Sequence, residues 1–218
     1  MKVREVMSTA VITTPPTTSF KETAELMLDY AISGVPVVDT QRHVLGVVTE
    51  ADLMSKEAFS HRHHRPLGSL VELMTGDRRW ANKAAGLTAA DVMTTDTITV
   101  RPDEDIRVAA RRMLDRGVKR LLVLDDGELV GIVSRYDLLR VFHRADTAVA
   151  DEIRTKLGSP RYCPEDHSVT FTVEDGVVTL SGGVRFAGEV AVVEGMAWDV
   201  PGVVQVVNDL SYDLPDGG

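Results

Sequence analysis

Two short segments of the sequence combine a hydroxyl and a carboxylate at a spacing suited to binding a phosphorylated sugar. Thr49 precedes Asp52, and Ser134 precedes Asp137, by three residues. Each pair follows a Gly-led apolar stretch, so the hydroxyl is predicted at a helix start, where unpaired N–H groups and the helix dipole favour an anion. The carboxylate can accept both hydroxyls of a vicinal diol. The two segments therefore predict receptors for a ribose phosphate.

The same spacing has a second interpretation that involves no ligand. Ser or Thr followed three residues later by an acidic residue is close to the capping box, which satisfies N–H groups at a helix start. A single occurrence is usually of that kind. Because the pattern occurs twice at matching positions, we favour a ligand role and leave capping alone as the alternative.

The two halves of the chain differ in charge just before an apolar run. Lys119 and Arg120 precede Leu121, whereas Ser33 and Gly34 stand at the equivalent position of the first half. A guanidinium offers bidentate hydrogen bonds to phosphate oxygens, and a lysine offers a mobile point charge. The second half is therefore suited to a phosphate, with a solvated pair after a helix as the alternative. The first half alone favours an uncharged group or no ligand.

These residues belong to two copies of one unit. The stretch from Val6 to Asp52 recurs from Val92 to Asp137, and 86 residues separate Met7 from Met93. Apolar spacing predicts a strand, a helix, two strands and a helix in both copies, a βαββα order in the α/β (α+β) class. We expect the copies to pack as one module with a ligand cleft between them. The predicted elements are strands 10–14, 34–39 and 45–48 with helices around 20–28 and after Thr49, then strands 97–100, 121–124 and 130–133 with helices over 106–116 and from Tyr136.

Residues 59–87 form a basic insert between the copies. His61, His63 and His64 lie close together there, with arginines on both sides. Three histidines can bind a transition metal, but no carboxylate or cysteine stands at compact ligand spacing. We therefore expect an exposed basic loop and no metal site.

The net charge of −9 lies entirely in the last third of the chain, because residues 145–218 carry 4 Lys and Arg against 13 Asp and Glu. Nucleic acid is not expected as a partner, since phosphate binding needs clustered cations. No run of about 18 apolar residues and no N-terminal secretion signal is present, so we expect a cytoplasmic protein. Residues 145–214 are predicted as αββαβ, with a hairpin turning at 174–176, and 215–218 as a tail.

The repeated segments resemble the CBS domain, named for cystathionine β-synthase. The resemblance rests on the Val-Met-Ser/Thr openings, on Ile12–Pro16 and Ile98–Pro102, and on the Gly-led Ser/Thr-x-x-Asp junctions, and it covers 1–58 and 88–144. Tandem pairs of this family form a disc-like module that binds adenosine-containing ligands, which implies up to two sites here. The resemblance implies the following contacts: ribose hydroxyls on Asp52 and Asp137, ribose or phosphate on Thr49 and Ser134, adenine beside the backbone of Gly34 to Pro36, and phosphate on Lys119 and Arg120.

The C-terminal region resembles the BON domain, through the segments 173–182 and 200–208. Attachment to phospholipid is often proposed for that family. Binding to anionic lipid gains about 1 kcal/mol per Lys or Arg near the surface, so the acidic charge of this region disfavours it. We expect an unidentified protein partner instead.

No catalytic triad, Walker loop or dinucleotide turn can be assembled from the sequence, and we expect no enzyme activity and no required cofactor. The sequence favours a homodimeric regulatory sensor that binds AMP, ADP or ATP, or else S-adenosylmethionine, and relays occupancy through the BON domain. The alternative is a ligand-free CBS dimerisation scaffold whose BON domain binds protein or phospholipid.

Overall fold

The structure, a computed structural model, describes residues 1–59, 83, 85–158 and 169–215. The chain divides into two units by internal contacts, Lys2–Ser134 and Arg135–Gly218. The basic insert predicted around His61, His63 and His64 lies outside the described residues. Of the helices in the described ranges, none is long and apolar enough to cross a membrane.

The first repeat contains the predicted helix, two strands and helix. They are α1 (Phe20–Asp29), β1 (Gly34–Val38), β2 (Val44–Thr49) and α2 (Glu50–Phe59). Ser19 begins α1 with a capping box, since its Oγ accepts from the Glu22 N–H at 3.2 Å and the Glu22 carboxylate accepts from the Ser19 N–H at 3.0 Å. β1 and β2 pair antiparallel, which places Gly34 opposite Thr49. Val35, Val37 and Val48 are fully buried beneath this pair.

The strand predicted over 10–14 is reduced to one bridging residue. Thr14 pairs in parallel with Val37. The Thr14 N–H donates to the Pro36 carbonyl, and the Val38 N–H donates to the Thr14 carbonyl, each at 3.0 Å. Pro15 and Pro16 follow at once and have no N–H to donate, so the ladder cannot continue.

The second repeat also follows the predicted order. Its elements are α3 (Ala89–Val92), β3 (Thr99–Val100), α4 (Ile106–Asp115), β4 (Arg120–Asp125) and β5 (Glu128–Ser134). β4 lies between β3, its parallel neighbour, and β5, its antiparallel neighbour. The helix predicted from Tyr136 is the short α5 (Arg135–Leu139), which begins the second unit.

The opening segment of each repeat pairs with a strand of the other repeat. Ser8 pairs with Ile132 through two backbone hydrogen bonds of 2.9 and 3.0 Å. Thr94 pairs with Val47 in the same way, at 2.8 and 2.9 Å. The two exchanges are equivalent, so the repeats interlock by a pseudo-symmetric pair of short β-bridges.

Methionines next to these bridges pack on glycines of the opposite repeat. A Cβ atom on Gly131 would lie 2.6 Å from Met7 Sδ, and one on Gly46 would lie 2.8 Å from Met93 Sδ. Such distances are shorter than van der Waals contact. The Val-Met-Ser/Thr pattern that the two openings share therefore matches a glycine on each receiving strand.

The second unit has the predicted αββαβ order. It consists of α6 (Asp146–Leu157), β6 (Val169–Glu174), β7 (Val177–Phe186), α7 (Ala187–Trp198) and β8 (Gln205–Leu214). β6 and β7 form the predicted hairpin, and α7 carries the chain across to β8, which pairs parallel with β7. Its core contains Val149, Ile153 and Leu157, the apolar stripe of α6.

The hairpin turn is held by the first residue of α6. Asp175 and Gly176 both have positive φ, 49° and 75°, as the type I′ turn requires. The Asp146 carboxylate accepts from the Asp175 N–H at 2.8 Å and from the Gly176 N–H at 3.0 Å. One side chain thus satisfies two turn donors.

Candidate functional site

Four residues predicted to bind a ligand line one cavity in the unit Lys2–Ser134. The cavity has a volume of about 440 Å³. Thr49 and Asp52 line it from the first repeat, and Lys119 and Arg120 line it from the second. Ser33, which stands just before β1, lies on the same wall. The cavity therefore combines a carboxylate, hydroxyls and two cations.

The position of Asp52 follows from the junction between β2 and α2. Thr49 ends the strand and Asp52 lies in the first turn of the helix, so the two side chains meet. One carboxylate oxygen of Asp52, Oδ2, accepts from the Thr49 N–H at 2.8 Å and from the Thr49 hydroxyl at 2.7 Å. The capping geometry considered from the sequence is therefore present, and it uses half of the carboxylate.

The other half of the carboxylate is bound by residues that the sequence did not indicate. Asp52 Oδ1 accepts from Lys83 Nζ and, at 3.4 Å, from the Thr94 hydroxyl. Lys83 Nζ also donates to Thr94 Oγ1 at 2.8 Å. The side chains of Lys83 and Asp52 are only 7% and 3% exposed, so this is a buried ion pair. A single lysine in a basic insert carries no signal that would have identified it.

Arg120 connects the two repeats at the edge of the cavity. Its guanidinium donates to the Ser33 hydroxyl and, at 3.2 Å, to the Gly34 carbonyl. Burial lowers the pKa of Arg120, while the Glu50 carboxylate opposes that shift, and the group stays charged. The first repeat, which has no cation of its own at Ser33 and Gly34, thus receives one from the second repeat.

Lys119 is the more mobile cation of the pair. Its ammonium lies 3.8 Å from Glu50 Oε2, and its side chain is 72% exposed. An exposed ion pair of this kind contributes little to stability, about 0–1 kcal/mol. Lys119 is therefore able to exchange Glu50 for another anion in the cavity.

The remaining predicted site residues are not among those that line this cavity. Gly34 and Pro36 are buried within β1, while their strand partners Thr49 and Val47 and the preceding Ser33 line the cavity. Ser134 ends β5. Asp137 is half-buried in the first turn of α5, in the second unit.

A second cavity, of about 540 Å³, lies next to the first. The two cavities share five residues in their walls: Thr94, Asp96, Ile98, Arg116 and Val118. Lys83 and Asp91 line the second cavity as well. Across the described ranges, no group of three or more His, Cys, Asp or Glu side chains is placed to hold a metal ion.

Family comparisons agree with the repeated architecture. The CBS domain model matches residues 3–58 and 89–144, and the BON domain model matches residues 145–213. The chain therefore belongs to the CBS domain family, as a tandem CBS pair followed by a BON domain. This confirms both resemblances inferred from the sequence.

The following relatives match between 57% and 71% of this chain. The chloroplastic CBS domain-containing protein CBSX2 of Arabidopsis thaliana is 30% identical over 135 residues, which cover 57% of this chain and 56% of CBSX2. An uncharacterized protein of Methanopyrus kandleri is 28% identical over 155 residues, 71% of this chain and 69% of that protein. The crystal structure of CBSX2 in complex with AMP superposes with a TM-score of 0.54 at 29% identity, over 64% of this chain and 94% of that one.

Proposed function

We propose that this protein is a regulatory sensor that binds an adenine nucleotide, AMP, ADP or ATP, in the cavity lined by both CBS repeats. The observation that carries the proposal is the meeting of Thr49 and Asp52 with Lys119 and Arg120 in one cavity. A carboxylate suits a ribose diol, and the two cations suit a phosphate. The likeness to CBSX2, which was crystallised with AMP, supports the same class of ligand.

In the proposed complex, Asp52 binds the ribose hydroxyls, and Thr49 contacts the ribose or the phosphate. The cations Lys119 and Arg120 bind phosphate oxygens. The β1 backbone from Gly34 to Pro36 flanks the adenine. Ser134 and Asp137 are the proposed counterparts for a second ligand. S-adenosylmethionine is the alternative ligand, because it has the same adenosyl group without a phosphate.

The proposed role is regulation without catalysis. A nucleotide at 100 times its dissociation constant stabilises the state that binds it by about 2.7 kcal/mol, so it shifts a two-state module if its affinities for the two states differ. We propose that the BON domain passes this shift to a protein partner, that the CBS pair forms a homodimer, and that the protein works in the cytoplasm. The acidic charge of residues 145–218 disfavours phospholipid as the partner.

A thermal-shift screen of the full chain tests this function. The ligands are adenosine, AMP, ADP, ATP, S-adenosylmethionine and NAD, each with wild-type protein and with Asp52→Ala, Asp137→Ala and Asp29→Ala. Asp29 is an exposed acid at the end of α1 and serves as the matched control. We expect a nucleotide to raise the Tm of wild type and of Asp29→Ala but not of Asp52→Ala. A shift that persists in Asp52→Ala would contradict the assignment of the ribose site.

One observation favours a second function, that of a ligand-free scaffold. The Asp52 carboxylate is already fully bonded by Thr49, Lys83 and Thr94. If none of the six compounds shifts the Tm of wild type or of any variant, the result favours this second function. The CBS pair is then a dimerisation scaffold, and the BON domain binds protein or phospholipid.

A further inference from the structure

We propose that Lys83 blocks the ribose position of the first CBS site and leaves Asp52 when a nucleotide enters. This inference rests on the proposed function, because it concerns regulation of the same site. It makes Lys83 a built-in competitor for ligands that carry a vicinal diol.

The bonding of Asp52 is the first step of the argument. A carboxylate offers about four lone-pair positions. Oδ2 accepts twice from Thr49, and Oδ1 accepts from Lys83 and Thr94. The residue is only 2% exposed, so water does not reach it freely. A diol can bind Asp52 only after one of these donors has left.

Lys83 is the donor that can leave. The two bonds from Thr49 come from the same strand-to-helix junction and fix the start of α2. Thr94 is held by its backbone, which pairs with Val47 at 2.8 and 2.9 Å. Lys83 is the one partner with a long flexible stem, and its ammonium can rotate away without any change in β2.

The second cavity can accommodate the ammonium group of Lys83 after it leaves Asp52. Lys83 already lines that cavity, together with the acidic residues Asp91 and Asp96 and with one further cation, Arg116, which the two acids outnumber. A lysine that leaves Asp52 therefore stays beside negative charge, which limits the penalty for breaking a buried ion pair. The remaining penalty is subtracted from the binding of the nucleotide and lowers its apparent affinity.

Calorimetric titration of the full chain with AMP tests the competition. The variant is Lys83→Met, and the matched control is Lys56→Met, since Lys56 donates to the Gly86 carbonyl at 2.7 Å and stacks on Phe20 instead of contacting Asp52. We expect Lys83→Met to bind AMP about tenfold more tightly than wild type, and Lys56→Met to bind within about twofold of it.

The outcomes separate the two proposals. Binding by Lys83→Met alone, or tighter binding by it, supports the competition. AMP binding by wild type that is unchanged or weaker in Lys83→Met overturns the competition and leaves the proposed function standing. Absence of binding of AMP, and of ADP and ATP titrated in the same way, from wild type and from Lys83→Met overturns the proposed function, and the competition with it.

Lysine acetylation of wild type, followed by mass spectrometry, gives the answer without any variant. Under the proposal, saturation with AMP increases the acetylation rate of Lys83, because its ammonium leaves a buried pair, and decreases that of Lys119. A decrease at Lys83 would show that the lysine contacts the nucleotide, and this would overturn the proposal.

Discussion

Arg120 reaches across from the second repeat and donates to the carbonyl of Gly34 in the first, with a distance of 3.2 Å from Nη1 to the oxygen. The absence of a side chain on Gly34 makes this approach possible. A Cβ atom there would lie 2.8 Å from Arg120 Nη1 and 3.2 Å from the Val48 carbonyl. The glycine thus fixes where a cation of one repeat enters the cavity of the other.

Replacing Gly34 by alanine should displace the guanidinium while leaving the fold in place. Since the clash involves the end of a flexible side chain, we expect the free energy of unfolding to change by less than about 1.5 kcal/mol. The affinity for AMP should fall about tenfold more than the affinity for adenosine, because only AMP loses the bidentate partner of its phosphate, whereas a contact of the added methyl group with the adenine affects both ligands alike. Titration calorimetry and urea unfolding measure the two effects. Equal losses for AMP and adenosine would contradict the role given to Arg120.

Lys119→Ala should lower the affinity of the protein for nucleotides, and the loss should increase with the phosphate charge of the nucleotide. We expect a loss of about tenfold for AMP, more for ATP and little for adenosine, because Lys119 is exposed and acts as a mobile point charge. Lys21→Ala is the control, since Lys21 is an exposed lysine paired with Glu25 on α1. The affinity difference between the two variants should shrink as salt is raised. A salt-independent difference would argue against an electrostatic role.

The interlocked openings predict different rescue behaviour for two glycine substitutions. Gly131→Ala and Gly46→Ala should each cost about 1–3 kcal/mol by overpacking. Met7→Ala should restore part of the loss in Gly131→Ala, because the nearest atom there is Met7 Sδ. Met93→Ala should restore less in Gly46→Ala, because the Thr94 carbonyl also lies 2.8 Å from the added Cβ atom.

Denaturant unfolding of the single and double variants measures these differences. Gly195→Ala is the control for the substitution itself, since a Cβ atom on Gly195 in α7 would meet nothing within 4 Å. It should stabilise that helix by about 1 kcal/mol. Equal rescue by both methionine substitutions would show that the backbone at Thr94 yields easily.

Asp146→Ala should destabilise the BON domain by about 1–3 kcal/mol. The substitution leaves the N–H groups of Asp175 and Gly176 without their acceptor, and a charged acceptor is worth more than a neutral one. Asp151→Ala, which removes an exposed acid of the same helix paired with Arg154, should cost less than about 0.5 kcal/mol. Thermal unfolding of the full chain compares the two. Equal stability of both variants would mean that the turn holds without the Asp146 side chain.

The sequence predicted the elements well where local patterns decide them. The apolar run of β1, the hairpin turn at 174–176 and the helix start after Thr49 are local, and the structure confirms each. The predicted strand at 10–14 was too long, because Thr14 is the residue of that segment that pairs with a strand, through a single bridge to Val37.

The candidate site was predicted in part, because its residues come from three distant segments. The motif spacing points to Thr49 and Asp52 as ligand-binding residues, and the charge of Lys119 and Arg120 points to a phosphate. That these cations line the cavity of the first repeat depends on packing between repeats, which no local pattern encodes. Lys83 was missed for the same reason, since its partner stands 31 residues earlier in the chain.

The exchange of opening segments also sets a schedule for biosynthesis. Ser8 leaves the ribosome early, but its partner Ile132 is made 124 residues later. At a synthesis rate of about 5–20 residues per second, roughly 6–25 s pass between the synthesis of Ser8 and that of Ile132. During that time β5 has not been made, and Ser8 lacks the partner of its two backbone hydrogen bonds. The first opening therefore gains its strand partner only when synthesis of the second repeat has almost finished.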